Sequence, residues 1–79
     1  MKLFVAGLPG DFDNTDLKEM FELYGEIKVS QIIMDRATGK SKGFGFVTML
    51  NDEEAKEAIR LLNGVKIFGK KIVVQKSNE

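Results

Sequence analysis

The run Lys42-Gly43-Phe44-Gly45-Phe46-Val47-Thr48-Met49 sets two aromatic rings two residues apart, each preceded by glycine, with a cation in front. Side chains of an extended chain alternate between two faces, so Phe44 and Phe46 share one side with Lys42 and Thr48. Val47 and Met49 fall on the other side and continue naturally into a core. Phe4 sits the same way in Lys2-Leu3-Phe4-Val5-Ala6, with Leu3 and Val5 turned away from it. Three rings on strand positions facing water are costly for a small domain unless something binds there. The fitting chemistry is stacking. An unpaired nucleobase offers a flat π face, worth about 1–3 kcal/mol on an aromatic ring, and neighbouring lysines attract the phosphates. A duplex, whose bases already stack on one another, fits less well. Gly43 and Gly45 are expected to leave the strand without bulk on its far side and free to flex. The alternative is that a second copy of the chain covers the rings; the expectation is a monomer.

Catalytic chemistry has little to work with. The 79 residues contain no histidine and no cysteine, which removes the commonest general base, thiolate nucleophiles and the usual soft metal ligands. The carboxylates stand at spacings suited to helix capping and solvation, so no metal site and no cofactor are expected. The first loop, Gly7-Leu8-Pro9-Gly10-Asp11-Phe12, has no basic residue with which to cradle a phosphate and carries an acid. The expectation is a binding module and not an enzyme. No segment approaches the roughly 20 apolar residues that span a membrane, and no secretory signal is visible. Met1 directly precedes the first strand-like run, which leaves no room for a targeting peptide; the expected location is the cytoplasm.

The formal net charge is zero, which by itself argues against a polyanionic partner. The distribution argues for one. Asp11–Glu26 and Asn51–Arg60, both helical in pattern, hold ten of the twelve acidic residues and three basic ones. The rest of the chain carries Lys2, Lys28, Arg36, Lys40, Lys42, Lys66, Lys70, Lys71 and Lys76 against Asp35 and Glu79. If helices and strands form opposite layers, a neutral molecule acquires a basic face. The bland alternative is that Glu and Lys on helices serve solubility.

The elements that would position these groups follow from periodicity. Lys2–Ala6 alternates as a strand, and Gly7, Pro9 and Gly10 break it. Leu17, Met20, Phe21 and Tyr24 form a helical stripe, with Asp13 as N-cap, Asp16 in the first turn and Gly25 at a left-handed C-terminal cap. Ile27–Met34 is a second strand, Asp35–Ser41 a loop and Lys42–Met49 a third strand. Asn51 and Glu54 have capping-box spacing ahead of a stripe of Ala55, Ala58, Ile59 and Leu62, which Asn63-Gly64 ends. Gly69 turns the chain into a last strand, Lys71–Gln75. The order βαββαβ predicts an α+β, ferredoxin-like two-layer sandwich: a four-stranded antiparallel sheet with both helices on one face, in a single domain spanning 1–79.

On these motifs the chain resembles the RNA-recognition-motif family, over almost its whole length. Lys42–Met49 is similar to the family's octamer, and Leu3-Phe4-Val5-Ala6-Gly7-Leu8 to its hexamer. The loop Asp35–Ser41, Ala55…Ala58-Ile59…Leu62-Asn63-Gly64 and Gly69-Lys70 match in order and spacing; five matched segments are far more specific than one Gly-Phe-Gly-Phe. The resemblance implies that Phe4 and Phe46 stack under successive bases, that Phe44 lies against the sugars and that Lys42 pairs with a phosphate. It also implies that Gln31, Lys71, Val73 and Gln75 line the open face, with Gln75 reading a base edge and Arg36 and Lys40 contacting the backbone. Two positions depart from the pattern: Met49 replaces the usual aromatic at the octamer's end, on the inward side, and Gly7 replaces a frequent Asn. The implied partner is single-stranded RNA, with single-stranded DNA a chemically admissible substitute and a protein partner a rival. The low net charge implies micromolar or weaker affinity, about 8 kcal/mol at most. In extent the chain is similar to small single-domain RNA-binding proteins of bacteria and cyanobacteria.

Overall fold

Period-two burial runs through the two central strands. Leu3, Val5, Val47 and Met49 are essentially inaccessible to water, whereas Phe4, Phe44, Phe46 and Thr48 between them are not. The computed structural model describes residues 1–78 and gives the order β1 (Lys2–Ala6), α1 (Asn14–Glu22), β2 (Ile27–Met34), β3 (Ser41–Met49), α2 (Asp52–Leu62), β4 (Lys66–Ile67), β5 (Lys70–Lys71) and β6 (Val73–Lys76). Four strands form one antiparallel sheet in the order β2-β3-β1-β6, and β4 and β5 form a separate hairpin. Leu17 and Phe21 of α1 and Ala55, Ala58 and Leu62 of α2 bury against the inward residues of the sheet. Both helices therefore lie on one face, and the expected two-layer architecture holds.

The helix ends differ from expectation in two respects. Asp13 caps α1 with a reciprocal box: Asp13 accepts from the Asp16 amide at 2.8 Å, and Asp16 accepts from the Asp13 amide at 3.1 Å. At the other end, Gly25 is not a left-handed cap; α1 closes at Leu23 in right-handed geometry. Space explains that glycine, because a Cβ there would lie 2.7 Å from the Glu54 carboxylate. In α2 only half a box forms. Asn51 accepts from the Glu54 amide at 3.0 Å, while the Glu54 side chain lies against Gly25.

The last strand also begins later than expected. Lys71 belongs to the hairpin, opposite Lys66, and β6 starts at Val73, opposite Ala6. The buried Ile72 lies between them, so the alternation of Lys71, Val73 and Gln75 survives although their backbone partners differ.

Two glycines shape β3, for reasons of geometry and not of flexibility. Gly43 adopts φ +81°, where L side chains are strained, and makes a bulge: only Ile33 separates the paired residues Ile32 and Met34, against Lys42, Gly43 and Phe44 on the opposite strand. Gly45 lies where a Cβ would meet the Gln31 carbonyl oxygen at 2.4 Å. Its missing side chain lets β2 and β3 approach with Phe44 and Phe46 on either side of it.

Both sheet edges are closed by asparagines from helix ends. Asn14, at the start of α1, accepts from the Ile32 amide of edge strand β2 at 2.8 Å, and its carbonyl accepts from Ser30 at 2.9 Å. Asn63, after α2, accepts from the Val74 amide of edge strand β6 at 3.0 Å. An open edge amide invites pairing with another chain; here each helix blocks one.

Asn63→Ala strands the Val74 donor in a partly buried position and is expected to cost about 1–2 kcal/mol, lowering Tm by about 4–8 °C per kcal/mol in thermal melts. Gly45→Ala forces the β2 backbone aside and is expected to cost about 1–3 kcal/mol in denaturant unfolding. Unchanged melting of Asn63→Ala, or an unchanged unfolding midpoint for Gly45→Ala, contradicts the respective assignment.

Candidate nucleic-acid interface

Register turns the alternation of single strands into rows across the open face. The central row crosses all four strands as Gln31, Phe46, Phe4 and Gln75, since Gln31 pairs with Phe46, Phe46 with Phe4, and Phe4 with Gln75. On one side of it runs Phe44, Ala6 and Val73; on the other, Val29, Thr48 and Lys2. Two carboxamides thus bracket two rings, and a third ring stands diagonally beside them.

The rings form one cluster. Phe4 lies 5.7 Å from Phe44 at 40° and 5.8 Å from Phe46 at 59°, while Phe44 and Phe46 meet edge to face at 6.4 Å. Each distance falls in the range where aromatic pairs attract, by about 0.5–1.5 kcal/mol beyond area burial. Each ring consequently keeps part of its surface covered by the others and part open. The cluster is held in place without a ligand, which lowers the ordering cost of binding one.

Charge surrounds the rings unevenly. The Lys2 ammonium stands 4.6 Å from the centroid of Phe46, a cation–π contact at the margin of the face. Lys2 was legible as a neighbour of Phe4 by alternation, yet it is absent from the expected contact residues. Lys42 is exposed at the start of β3, but the bulge at Gly43 separates it from the regular alternation of Phe44 and Phe46. Arg36 and Lys40 are exposed on the β2–β3 loop. That loop closes on itself: the Asp35 amide donates to Lys40 O at 2.7 Å, and the Gly39 amide donates to Asp35 O at 2.7 Å.

A shallow recess of about 210 Å³ opens between Phe4, Phe46 and Gln75 on one side and Lys76, Ser77 and Asn78 on the other. Sequence reasoning reached Gln75 but missed the three residues after it, where strand periodicity gives no signal. Val73 and Gln75 are exposed on β6 and Gln31 on β2, so these three join the rings on one face. Lys71 is displaced to the hairpin.

The helical layer carries the acids. Glu57 and Arg60 pair one turn apart on α2, both fully exposed: the hydrogen bond from Arg60 lowers the Glu57 pKa, and the same bond raises that of Arg60. This pair lies on the layer opposite the rings and is a solvated surface feature. Among the described residues no group of three or more Asp or Glu side chains is placed to hold a metal ion, and no helix is long and apolar enough to cross a membrane. The open face therefore offers stacking surfaces, amide hydrogen-bonding groups and cations.

Comparison with known proteins agrees with this geometry. The family model described as RNA recognition motif matches residues 3–73. The chain is 43% identical over 76 residues to a 28 kDa chloroplastic ribonucleoprotein of Spinacia oleracea, covering 96% of this chain and 33% of that protein. It is 41% identical over 78 residues to small RNA binding protein 1 of Cucumis sativus, covering 99% of this chain and 49% of that one. It thus spans between a third and a half of these two relatives. Among solved structures, the crystal structure of RNA binding protein PG1 superposes with a TM-score of 0.95 at 34% identity, covering 100% of this chain and 95% of that one. On sequence and structure alike, this chain belongs to the RNA recognition motif family.

Proposed function

We propose that residues 1–79 form one non-catalytic unit that binds single-stranded RNA on the open face of the sheet. The observation that carries the reading is the row Gln31, Phe46, Phe4 and Gln75, with Phe44 beside it. The rings supply sequence-tolerant stacking for successive bases. The two carboxamides supply donors and acceptors at both ends of the row, where base edges would fall, and so the means of discrimination. Phe44 would lie against the sugars, and Lys42, Arg36 and Lys40 would contact phosphates. The names of the relatives, a ribonucleoprotein and RNA-binding proteins, support the same assignment.

The unit is proposed to act as a monomer in the cytoplasm. One of the relatives is named for the chloroplast, so location is a matter for fractionation and not for homology. Single-stranded DNA shares the stacking chemistry, and only a contact to the 2′-hydroxyl separates the two.

Titration of the labelled domain with short single-stranded RNA of random sequence, at low salt, tests the reading. The wild type is expected to bind, and Phe44→Ala/Phe46→Ala to lose about 30-fold or more in affinity, from about 1 kcal/mol or more per lost stack, while melting as a folded domain. Absence of wild-type binding at high micromolar RNA overturns the proposal. Binding is also expected to weaken with salt, and Lys42→Gln to reduce the slope of log K against log salt by about 0.7; an unchanged slope removes Lys42 from the phosphate contacts.

A further inference from the structure

The β4–β5 hairpin is built against its own stability. Ile67 pairs with Lys70, so the turn consists of Phe68 and Gly69 alone, with φ of 50° and 83°. Positive φ at both central residues marks the mirror-image turn that suits a right-twisted hairpin, and its first position favours Asn, Asp or Gly. Phe68 has no short polar side chain with which to offset a left-handed backbone, and its ring is 84% exposed. Behind the turn, Lys66 stands directly opposite Lys71, with Lys70 next to it. Like charges facing across strands of two residues each destabilise the pairing. Val65 to Lys76 contains four lysines and no acid.

The base of this hairpin is nevertheless fixed to the sheet. The Gly64 amide donates to Ile72 O at 2.8 Å, and the Ile72 amide donates to Val65 O at 2.9 Å. Ile72 itself is fully buried. Gly7, which follows β1, packs so closely that a Cβ there would lie 2.6 Å from the Lys71 carbonyl oxygen. Val73 follows at once and continues the row through Ala6 to Phe44. The hairpin therefore stands at the Phe44 end of the open face, beyond β6.

An exposed ring held in a strained turn, and three uncompensated cations, have a common remedy in a polyanion with flat faces. We infer that Phe68 is a further stacking site, taking one more base of the same single strand beyond the sheet, with Lys66, Lys70 and Lys71 along its phosphates. This rests on the RNA reading above and adds a second, separate ring to it.

Phe68→Asn removes the ring and gives the turn the residue it favours, so the fold is retained. Wild type, Phe68→Asn and Phe44→Ala/Phe46→Ala are titrated with random single-stranded RNA pools of about four and about ten nucleotides. Phe68→Asn is expected to bind the short pool as the wild type does and the long pool about five-fold or more weaker, the loss of one stack. Equal affinity of wild type and Phe68→Asn for the long pool, with the double mutant still impaired, overturns the hairpin contact, leaves sheet binding standing and gives the tip to a protein partner. A loss of the same size on both pools also overturns it, because the short strand is confined to the sheet. Failure of the wild type to bind either pool overturns the sheet reading and the hairpin contact together.

Discussion

The pairing of β1 with β3 carries both the core and the face opposite it. In this register Leu3 meets Val47 and Val5 meets Gly45 on the inner side, while Phe4 meets Phe46 and Ala6 meets Phe44 on the outer side. Since the side-chain period of a strand is two, slipping either strand by one residue would bury the rings and expose Leu3, Val5, Val47 and Met49. Burying those four side chains is worth about 1.5–3 kcal/mol each. The hydrophobic effect that folds the domain therefore also assembles the three rings, which could not select their own arrangement in water. Position 45 makes this possible: with no side chain there, β2 lies close enough to bring Gln31 into line with Phe46.

The remaining elements complete this arrangement without entering it. The helices cover the inner face and hold most of the acids, so a molecule of zero net charge turns a cation-rich side outward. Their ends serve the sheet as well, since Asn14 and Asn63 each occupy an edge amide that would otherwise seek a partner. The open face is thus the place where apolar surface is left available while the edges are closed.

What the sequence made legible follows the same physics. Phe4, Phe44, Phe46, Gln31 and Gln75 could be placed because strict alternation in β1, β3 and the following segments survives folding. The two-residue strands of the hairpin could not, because two residues carry no period; Lys71 was read as sheet and belongs beside Lys66. Glycines proved hardest to interpret. Gly25 and Gly45 answer to Glu54 and Gln31, partners elsewhere in the chain, and Gly43 marks a bulge that a regular strand pattern hides. Asn63 looked like helix punctuation, but its amide oxygen is spent on β6.

The central claim is that the aromatic face, and not the acidic helical layer, receives the nucleic acid. Backbone amide chemical-shift mapping of the isotope-labelled domain, titrated with single-stranded RNA, tests it most directly. The account predicts the largest shifts at Phe4, Gln31, Phe44, Phe46, Val73 and Gln75, with small changes across Asn14–Glu22 and Asp52–Leu62. Shifts concentrated on those two helices, with the sheet residues unmoved, would contradict it.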